Sequence, residues 1–253
     1  MSLEQPWYRS FFGQDYLDVY GYQFTPERAA LEAGFVVKLL GLRPDDVVLD
    51  LCSGQGRHSV PWAAAGLRVT ALDMSRQYLA LAADAAREAG VDLETVHADM
   101  REIPFDSHFD AVVNMFSSFG YLESEAENAR VLMAVRRALK PDGVALFDLL
   151  NRDWVIANYE TEDSHADPDG TRYLEHRRLD LETSRNHVSF TVVSPDGTRR
   201  EVDGHHIRLY TLREVRGMLD AAGLQYEGVH GGYEHETYGI ETRRMIVIAR
   251  RPA

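Results

Sequence analysis

The sequence predicts an α/β protein built on a doubly wound, mostly parallel sheet of seven strands. Short apolar runs alternate with helical patterns over residues 26–150, and such alternation implies right-handed crossovers between parallel strands. From residue 151 the pattern becomes that of an antiparallel sheet, which we expect as an insertion after the fifth strand. The chain has 253 residues, 45% of them hydrophobic, which is enough for a core of this size.

Capping residues and apolar runs set the element boundaries of the first half. Thr25 is a suitable N-cap, Pro26 suits the first helical position, and Gly41 suits the end of the same helix. Buried parallel strands are short apolar runs, and five are expected, at 47–51, 68–72, 92–97, 109–115 and 144–149. Helix ends and turns between them are predicted at Gly66, Ser75, Gly90, a Ser124–Glu127 capping box and Lys140-Pro141-Asp142-Gly143.

The predicted insertion covers residues 151–209. Val188 and Phe190 alternate with polar neighbours, as expected for an antiparallel sheet with one wet face. Three strands are predicted, at about 171–180, 187–193 and 200–209, with a Pro195-Asp196-Gly197 turn between the last two. We expect the insertion to roof the carboxyl edge of the main sheet.

Residues 1–150 and 210–253 are then expected to form one domain around the main sheet. A Thr211–Glu214 capping box begins its last helix, and Gly223 ends it. Two further strands, at about 224–230 and 244–250, complete the sheet.

Composition and charge narrow the classes of partner. The net charge of −13 argues against a nucleic-acid partner, and no apolar run approaches the roughly 20 residues that span a bilayer, so a membrane partner is not expected. The single cysteine, Cys52, excludes an internal disulfide and suits the cytoplasm. The start, Met1-Ser2-Leu3-Glu4-Gln5, lacks the basic and apolar stretches of a secretory signal. Oligomeric state is left open, with a homodimer among the options.

The strongest functional signal is Asp50-Leu51-Cys52-Ser53-Gly54-Gln55-Gly56-Arg57, at the end of the first strand. Glycines there let the backbone approach a ligand, and the following helix offers free N–H groups. A nicotinamide-binding fingerprint would place a third glycine where Ser59 stands. An NAD-dependent oxidoreductase therefore stays only as an alternative.

Two more acids follow the next strands. Asp73 ends the second strand and Asp99 the third. Either side chain could simply cap the next helix, but three acids on one carboxyl edge favour a ligand site. A carboxylate in such a place can accept hydrogen bonds from paired hydroxyl groups.

The glycine turn resembles the first motif of class I methyltransferases, which use S-adenosylmethionine (SAM). Cys52 stands where that motif usually has a glycine. The stretches 98–101, 115–121 and 206–211 are similar to those of bacterial small-molecule methyltransferases, including deoxysugar amine N-methyltransferases. The resemblance extends over nearly the whole chain from residue 46 and implies a Rossmann-like methyltransferase fold.

This resemblance implies SAM as cofactor and S-adenosylhomocysteine as product. It places Asp73 at the ribose hydroxyls and Asp99 at the adenine amino group. The expected cofactor-binding residues are Asp50, Cys52, Gly54, Gly56, Asp73, Met74, Asp99, Met100 and Met115.

The acceptor is expected to be a small molecule methylated on nitrogen or oxygen. The fourth strand lacks the proline-containing motif with which base-modifying enzymes hold a flipped base. The aromatic residues of 1–24 predict a lid, and the loop 231–242 is expected beside the substrate. The candidate catalytic residues are Tyr16, Tyr20, Tyr121 and Tyr233; Tyr121 stands where the sugar enzymes tend to have a histidine.

Other readings of the same residues remain. A SAM-binding protein without catalysis is an alternative, whereas an aminopropyl transferase would need acids where Asn114 and Ser117 stand. Cys52 is expected to fill a tight turn, since methyl transfer needs no enzyme nucleophile. No metal site is predicted, because His205 and His206 point to opposite faces of a strand.

Overall fold

The computed structural model describes residues 6–253, so the first five residues of the predicted lid lie outside the described residues. The main sheet has seven strands in the order β3-β2-β1-β4-β5-β11-β10, and β1 to β5 are parallel. β11 runs antiparallel to β5 and to β10. The predicted doubly wound, mostly parallel sheet is confirmed. Its strands are β1 (Val47–Leu51), β2 (Arg68–Asp73), β3 (Glu94–His97), β4 (Phe109–Asn114), β5 (Leu139–Leu150), β10 (Gln225–His230) and β11 (Arg244–Arg250).

Helices cover both faces of this sheet. Successive strand residues point to opposite faces, so Leu49 joins an apolar cluster with α6 and α8, and Val48 joins another with α3 and α4. The helices are α1 (Trp7–Phe11), α2 (Gln14–Tyr20), α3 (Pro26–Leu40), α4 (Ser59–Ala64), α5 (Arg76–Ala89), α6 (Glu125–Ala138), α7 (Arg152–Ala157) and α8 (Leu212–Ala222), with a 3₁₀ turn at Gly21–Gln23. Among residues 6–253, no helix is both long and apolar enough to cross a membrane.

The predicted helix caps are present with one exception. Thr25 and Ser75 accept the expected N–H bonds, and Thr211 and Glu214 form the reciprocal capping box. The capping box predicted at Ser124 lacks the return hydrogen bond from the Ser124 N–H to the Glu127 side chain. Ser124 accepts from the N–H of Glu127, but the Glu127 carboxylate bonds the Ser124 hydroxyl and the Arg101 guanidinium instead of the Ser124 N–H.

The fifth strand begins earlier than predicted. Lys140-Pro141-Asp142-Gly143 was expected as a turn, yet β5 already pairs with β4 through Leu139 and Phe109. The pairing is irregular before it resumes at Val144, and Asp142 has a φ of 62°. The turn residues are therefore accommodated as a break in strand register.

The insertion is a separate antiparallel sheet of four strands, one more than predicted. The strands are β6 (Glu162–Ala166), β7 (Arg172–Asp180), β8 (Arg185–Val193) and β9 (Arg199–Arg208), in that order. The missed strand β6 is a mostly exposed edge strand of polar residues, so it carries no apolar signal. Helix α7 was missed as well; the Asn151 side chain caps it. The predicted turn at Pro195-Asp196-Gly197 is present, with a φ of 87° at Gly197.

The N-terminal helices pack on the inner face of the insertion sheet. Phe11 and Val19 share an apolar cluster with Val188 and Phe190, and the rings of Phe11 and Phe190 are nearly parallel with centroids 6.4 Å apart. Tyr78 of α5 donates to the carbonyl of Gly13 over 2.8 Å. Residues 7–20 thus bridge the insertion and the main domain.

This packing predicts a local effect for Phe190→Ala. The loss of a fully buried ring should lower the free energy of unfolding by about 3–5 kcal/mol. Because Phe11 rests on this ring, amide hydrogen exchange should accelerate in residues 7–20 before it does in β1 or β4. Ser189→Ala, on the exposed face of the same strand, is the control and should change neither. Equal acceleration in β1 would show that insertion and main sheet open as one unit.

Candidate functional site

An inner cavity lies at the carboxyl edge of the main sheet, and its empty volume is about 910 Å³ including its mouth. Eight of the nine predicted cofactor-binding residues line it: Asp50, Cys52, Gly54, Asp73, Met74, Asp99, Met100 and Met115. Gly56 is the exception.

The turn after β1 requires left-handed backbone at several positions. Cys52 has a φ of 63°, which explains why a glycine is usual there. Its Sγ lies 3.6 Å from the Sδ of Met100. Burial, together with the charges of Asp73 and Asp99, raises the pKa of the Cys52 thiol well above its usual value. The thiol is therefore uncharged and unsuited to nucleophilic attack.

The two glycines of the turn do different things. Gly54 has a φ of 55° and open space where a side chain would lie, on the cavity wall. Gly56 has a φ of 79°, and a Cβ there would lie 2.8 Å from the Cβ of Ala82. Gly56 thus allows α5 to approach the turn. Gly56 itself does not line the cavity, so its contact with the cofactor stays a prediction.

Asp73 both braces the turn and faces the cavity. Its Oδ2 accepts from the N–H of Gly54 over 2.9 Å, and its Oδ1 accepts from the N–H of Ser75 over 2.8 Å. Burial raises the pKa of Asp73, against the opposing effect of these N–H groups. Each carboxylate oxygen has a second lone pair, so Asp73 can hold the turn and the helix start and still accept hydrogen bonds from a ligand.

The other two acids of the edge are also held in place. Arg101 makes a two-pronged contact with Asp99, over 2.9 Å to Oδ1 and 2.6 Å to Oδ2. Burial would raise the pKa of Asp99, but Arg101 outweighs it and lowers that pKa. Asp50 is buried and accepts from the Ser59 hydroxyl over 2.5 Å. Ser59, the residue that disqualified the nicotinamide fingerprint, thus supports the first strand end.

A buried carboxylate that sequence reasoning missed positions a cation at the cavity. Glu32 of α3 is fully buried and contacts Arg57 over 2.5 Å, His58 over 2.7 Å and Arg28 over 2.8 Å. Burial would raise the pKa of Glu32, but His58 and Arg57 outweigh it and lower the pKa to about 2. An acid on the apolar face of α3, beside Ala29 and Ala33, was the available signal.

Two buried polar atoms of the inner cavity have no hydrogen-bond partner within residues 6–253. They are the second terminal nitrogen of Arg57 (Nη2) and the hydroxyl of Ser53. Buried donors are normally satisfied, so these atoms indicate a place for a polar or anionic ligand group.

The end of β4 carries an unusual backbone. Phe116 and Ser117 have φ values of 60° and 62°, a conformation that costs free energy for residues other than glycine. Asp148 holds it: its Oδ2 accepts from the N–H of Phe116 over 2.9 Å, and its carbonyl accepts from the N–H of Ser117 over 2.8 Å. Asp148 is fully buried and paired with Arg244, whose Nε lies 2.7 Å from its Oδ1.

An outer cavity lies between the insertion, α7 and the N-terminal helices, with an empty volume of about 1610 Å³ including its mouth. The inner and outer cavities share a wall of four aromatic residues: Phe12, Tyr16, Phe116 and Tyr121. A group in one cavity can therefore reach a group in the other only past these rings.

Three of the four predicted catalytic tyrosines line these cavities. Tyr16 and Tyr121 belong to the shared wall, and Tyr20 faces the outer cavity. The Tyr20 hydroxyl lies 2.6 Å from Nε2 of His205. Burial raises the pKa of all three phenols far above neutral and lowers the pKa of His205 to about 3. These groups are therefore uncharged at physiological pH.

Tyr233, the fourth predicted catalytic tyrosine, lies apart from the other three. Its hydroxyl donates to the buried Oδ2 of Asp148 over 2.7 Å, and its ring packs edge-on against Phe35 of α3. Tyr233 lines neither cavity. The loop 231–242 lines neither cavity, whereas Arg243 and Arg244, which follow it, line the outer cavity. Among residues 6–253, no three His, Cys, Asp or Glu side chains are grouped to hold a metal ion.

Comparison with known proteins gives a consistent result. Residues 48–143 match the family described as a methyltransferase domain. The cypemycin N-terminal methyltransferase of a Streptomyces species is 30% identical over 225 residues, 87% of this chain and 89% of that protein. The dTDP-3-amino-3,6-dideoxy-alpha-D-glucopyranose N,N-dimethyltransferase of Streptomyces fradiae is 30% identical, covering 73% of this chain and 72% of its own length. The CcbJ methyltransferase structure from Streptomyces caelestis has the same fold, with a TM-score of 0.78, 21% identity and coverage of 89% and 90%.

The two glycines of the turn form a matched pair for mutation. Gly54→Ala should fold with a loss of about 1 kcal/mol from its backbone conformation, but should bind SAM poorly, because the methyl group enters the cavity. Gly56→Ala should cost more stability, because its methyl group meets Ala82 as well. Thermal unfolding and calorimetry with SAM measure the two effects. Normal SAM affinity in Gly54→Ala would contradict the placement of the cofactor loop.

Proposed function

Since the chain belongs to the class I SAM-dependent methyltransferases, and is therefore an enzyme that transfers the methyl group of SAM, we propose that it methylates a nitrogen atom of a small molecule bound in the outer cavity. The observation that carries this proposal is the aromatic wall shared by the inner and outer cavities. Both relatives compared above act on nitrogen by name, one on an N-terminus and one on an amino sugar. Their names support the choice of nitrogen over oxygen.

The inner cavity fits SAM group by group. Arg57 and Ser53, with their unpartnered atoms, suit the carboxylate of the methionine part. Asp73 suits the ribose hydroxyls, and Asp99 suits the adenine amino group. Gly54 leaves the space that the cofactor needs. When bound, SAM supplies an electrophilic methyl group on a sulfonium cation.

The aromatic wall makes the boundary between the two cavities suitable for methyl transfer. The rings of Phe12, Tyr16 and Tyr121 exclude water, and their faces attract a positively charged group. The ring of Phe116 also packs against the guanidinium of Arg57, 5.0 Å from its centroid. Arg57 is itself paired with Glu32, so the reacting position is not next to an unpaired cation.

Next to the aromatic wall, the outer cavity offers uncharged polar groups that can orient the acceptor nitrogen. The paired Tyr20 and His205, and the phenols of Tyr16 and Tyr121, can donate or accept hydrogen bonds without carrying charge. A nitrogen attacks through its lone pair, so the acceptor amine has to be neutral at the moment of transfer. A neutral acceptor needs only to be oriented in line with the S–CH3 bond. As the N–C bond forms the S–C bond breaks, the positive charge passes to nitrogen, and the resulting ammonium can release its proton to solvent.

The same proposal assigns different roles to different parts of the chain. Residues 1–150 and 210–253 bind SAM, and residues 151–209 roof the acceptor, with Asn186, His205 and Ile207 contributing to the outer cavity. A nucleic-acid acceptor is still not expected, and a homodimer is still one option.

The carboxylate assignment is tested by Arg57→Met. Loss of a charge-assisted hydrogen bond should weaken SAM binding by about 1.5–3 kcal/mol, or roughly 10–150-fold. Arg28→Met is the matched control, because Arg28 also contacts Glu32 but lines only the outer cavity. Calorimetry should find SAM affinity lowered in the first variant and retained in the second. Equal affinity in both variants would remove Arg57 from the cofactor site.

The acceptor assignment is tested with radiolabelled SAM and a small-molecule extract. We expect label in the small-molecule fraction, as an N-methyl group by mass spectrometry. Tyr121→Phe should lower turnover about threefold to tenfold with little change in SAM affinity, because one hydroxyl that orients the acceptor is lost. Tyr238→Phe, which removes a phenol outside both cavities, is the control. Label confined to protein or nucleic acid would refute a small-molecule acceptor.

A further inference from the structure

The outer cavity is rich in arginine although the protein as a whole is strongly acidic. Arg28, Arg177, Arg243 and Arg244 all line it. Three of these pair with nearby acids. Arg28 pairs with Glu32, which also pairs with Arg57; Arg177 pairs with Glu175 and Asp163, and Arg244 pairs with Asp148. Their positions are therefore explained by contacts within the protein.

Arg243 differs from the other three. Within residues 6–253 its guanidinium makes no ion pair and no hydrogen bond, and it lies 5.5 Å from the centroid of the Trp154 ring. Arg243 is exposed to solvent, whereas the side chain of Arg244 is only 13% exposed. Glu160, also in this wall, is exposed and makes no ion pair with Arg243. An arginine that lines the cavity, is open to solvent and has no counterion is a binding point for an anion.

We propose that Arg243 binds an anionic group of the acceptor, a carboxylate or a phosphate, while the acceptor nitrogen faces the aromatic wall. The proposal rests on the proposed function of the outer cavity. Guanidinium groups bind both kinds of anion through two parallel N–H bonds. Stacking on Trp154 leaves the edge of the guanidinium, which carries its N–H donors, available for that contact.

Arg243 and Arg244 lie at opposite ends of this acceptor site. Arg244 donates to Asp148 and Ser117 at the base of the Phe116 turn, so it lies at the inner end of the cavity. Arg243 lies over Trp154 of α7, in the part of the wall that the insertion contributes. An acceptor with an amine at one end and an anionic group at the other fits this arrangement.

Anion binding can be measured without turnover. The full-length protein is titrated with inorganic phosphate, and separately with acetate, at constant ionic strength, while tryptophan fluorescence is followed. Trp154→Phe identifies the part of the signal that comes from the stacked ring. A saturable change is expected, and Arg243→Gln should raise the half-saturation concentration at least about tenfold. Arg199→Gln, which removes an exposed arginine that lines neither cavity, should behave as the wild type. No saturable change, or the same half-saturation in Arg243→Gln, overturns the proposal.

The methylated product provides the second arm. Labelled product from the extract experiment is passed over an anion exchanger at a pH at which amines are largely neutral. Retention supports the proposal. Release after combined phosphodiesterase and phosphatase treatment identifies a phosphate, and continued retention identifies a carboxylate. A labelled product that is not retained overturns it. Absence of any labelled small molecule contradicts the proposed function instead, and the fluorescence titration then decides whether Arg243 is an anion site.

Discussion

The buried carboxylate of Asp148 is the contact on which the reaction site most depends. It accepts from the N–H of Phe116, from Tyr233 and from Arg244, and so ties the ends of β4, β5 and β11 to one another. The left-handed backbone at Phe116 and Ser117 costs free energy. It persists because the Asp148 carboxylate accepts from the N–H of Phe116 and the Asp148 backbone carbonyl accepts from the N–H of Ser117. The result is the position of the Phe116 ring in the wall between the inner and outer cavities.

Glu32 positions an arginine at the inner cavity, as Asp148 does at the outer cavity. Each acid is fully buried, and a buried charge is tolerated only when it is paired and hydrogen-bonded. Each pairs with an arginine that reaches a cavity wall, Arg57 in one case and Arg244 in the other. A chain with a net charge of −13 can thus present ordered cations at its binding surfaces. Removal of either acid would leave both an unpaired cation and a displaced wall.

The sequence predicted features that depend on neighbouring residues and missed those that depend on distant partners. Thr25, Ser75 and Thr211 begin helices through bonds within one turn, so their sequence signals were sufficient. The acids at the ends of β1 and β2 could be placed because parallel strands end at a common edge. Glu32 and Asp148 could not, because their partners lie on other elements. The position of Tyr233 could not be predicted for a related reason: a loop sequence does not specify which side of a sheet edge its tyrosine faces, and here the hydrogen bond to the buried Asp148 fixes it.

The aromatic N-terminal helices contact both the insertion and the main domain, and these contacts fix their position. Their apolar side chains pack on the insertion through Phe11 and Phe190, and their backbone is held by the Tyr78 hydroxyl on α5, the helix that follows the Asp73 strand end. Phe12 and Tyr16, between these anchors, are therefore fixed relative to both cavities at once. Methyl transfer to a neutral amine moves positive charge from sulfur to nitrogen and spreads it during the transfer, so an aromatic wall without water favours the reaction. The rings that form this wall come from the N-terminal helices and from the end of β4, and only the combined folding of the insertion, α5 and Asp148 brings them together.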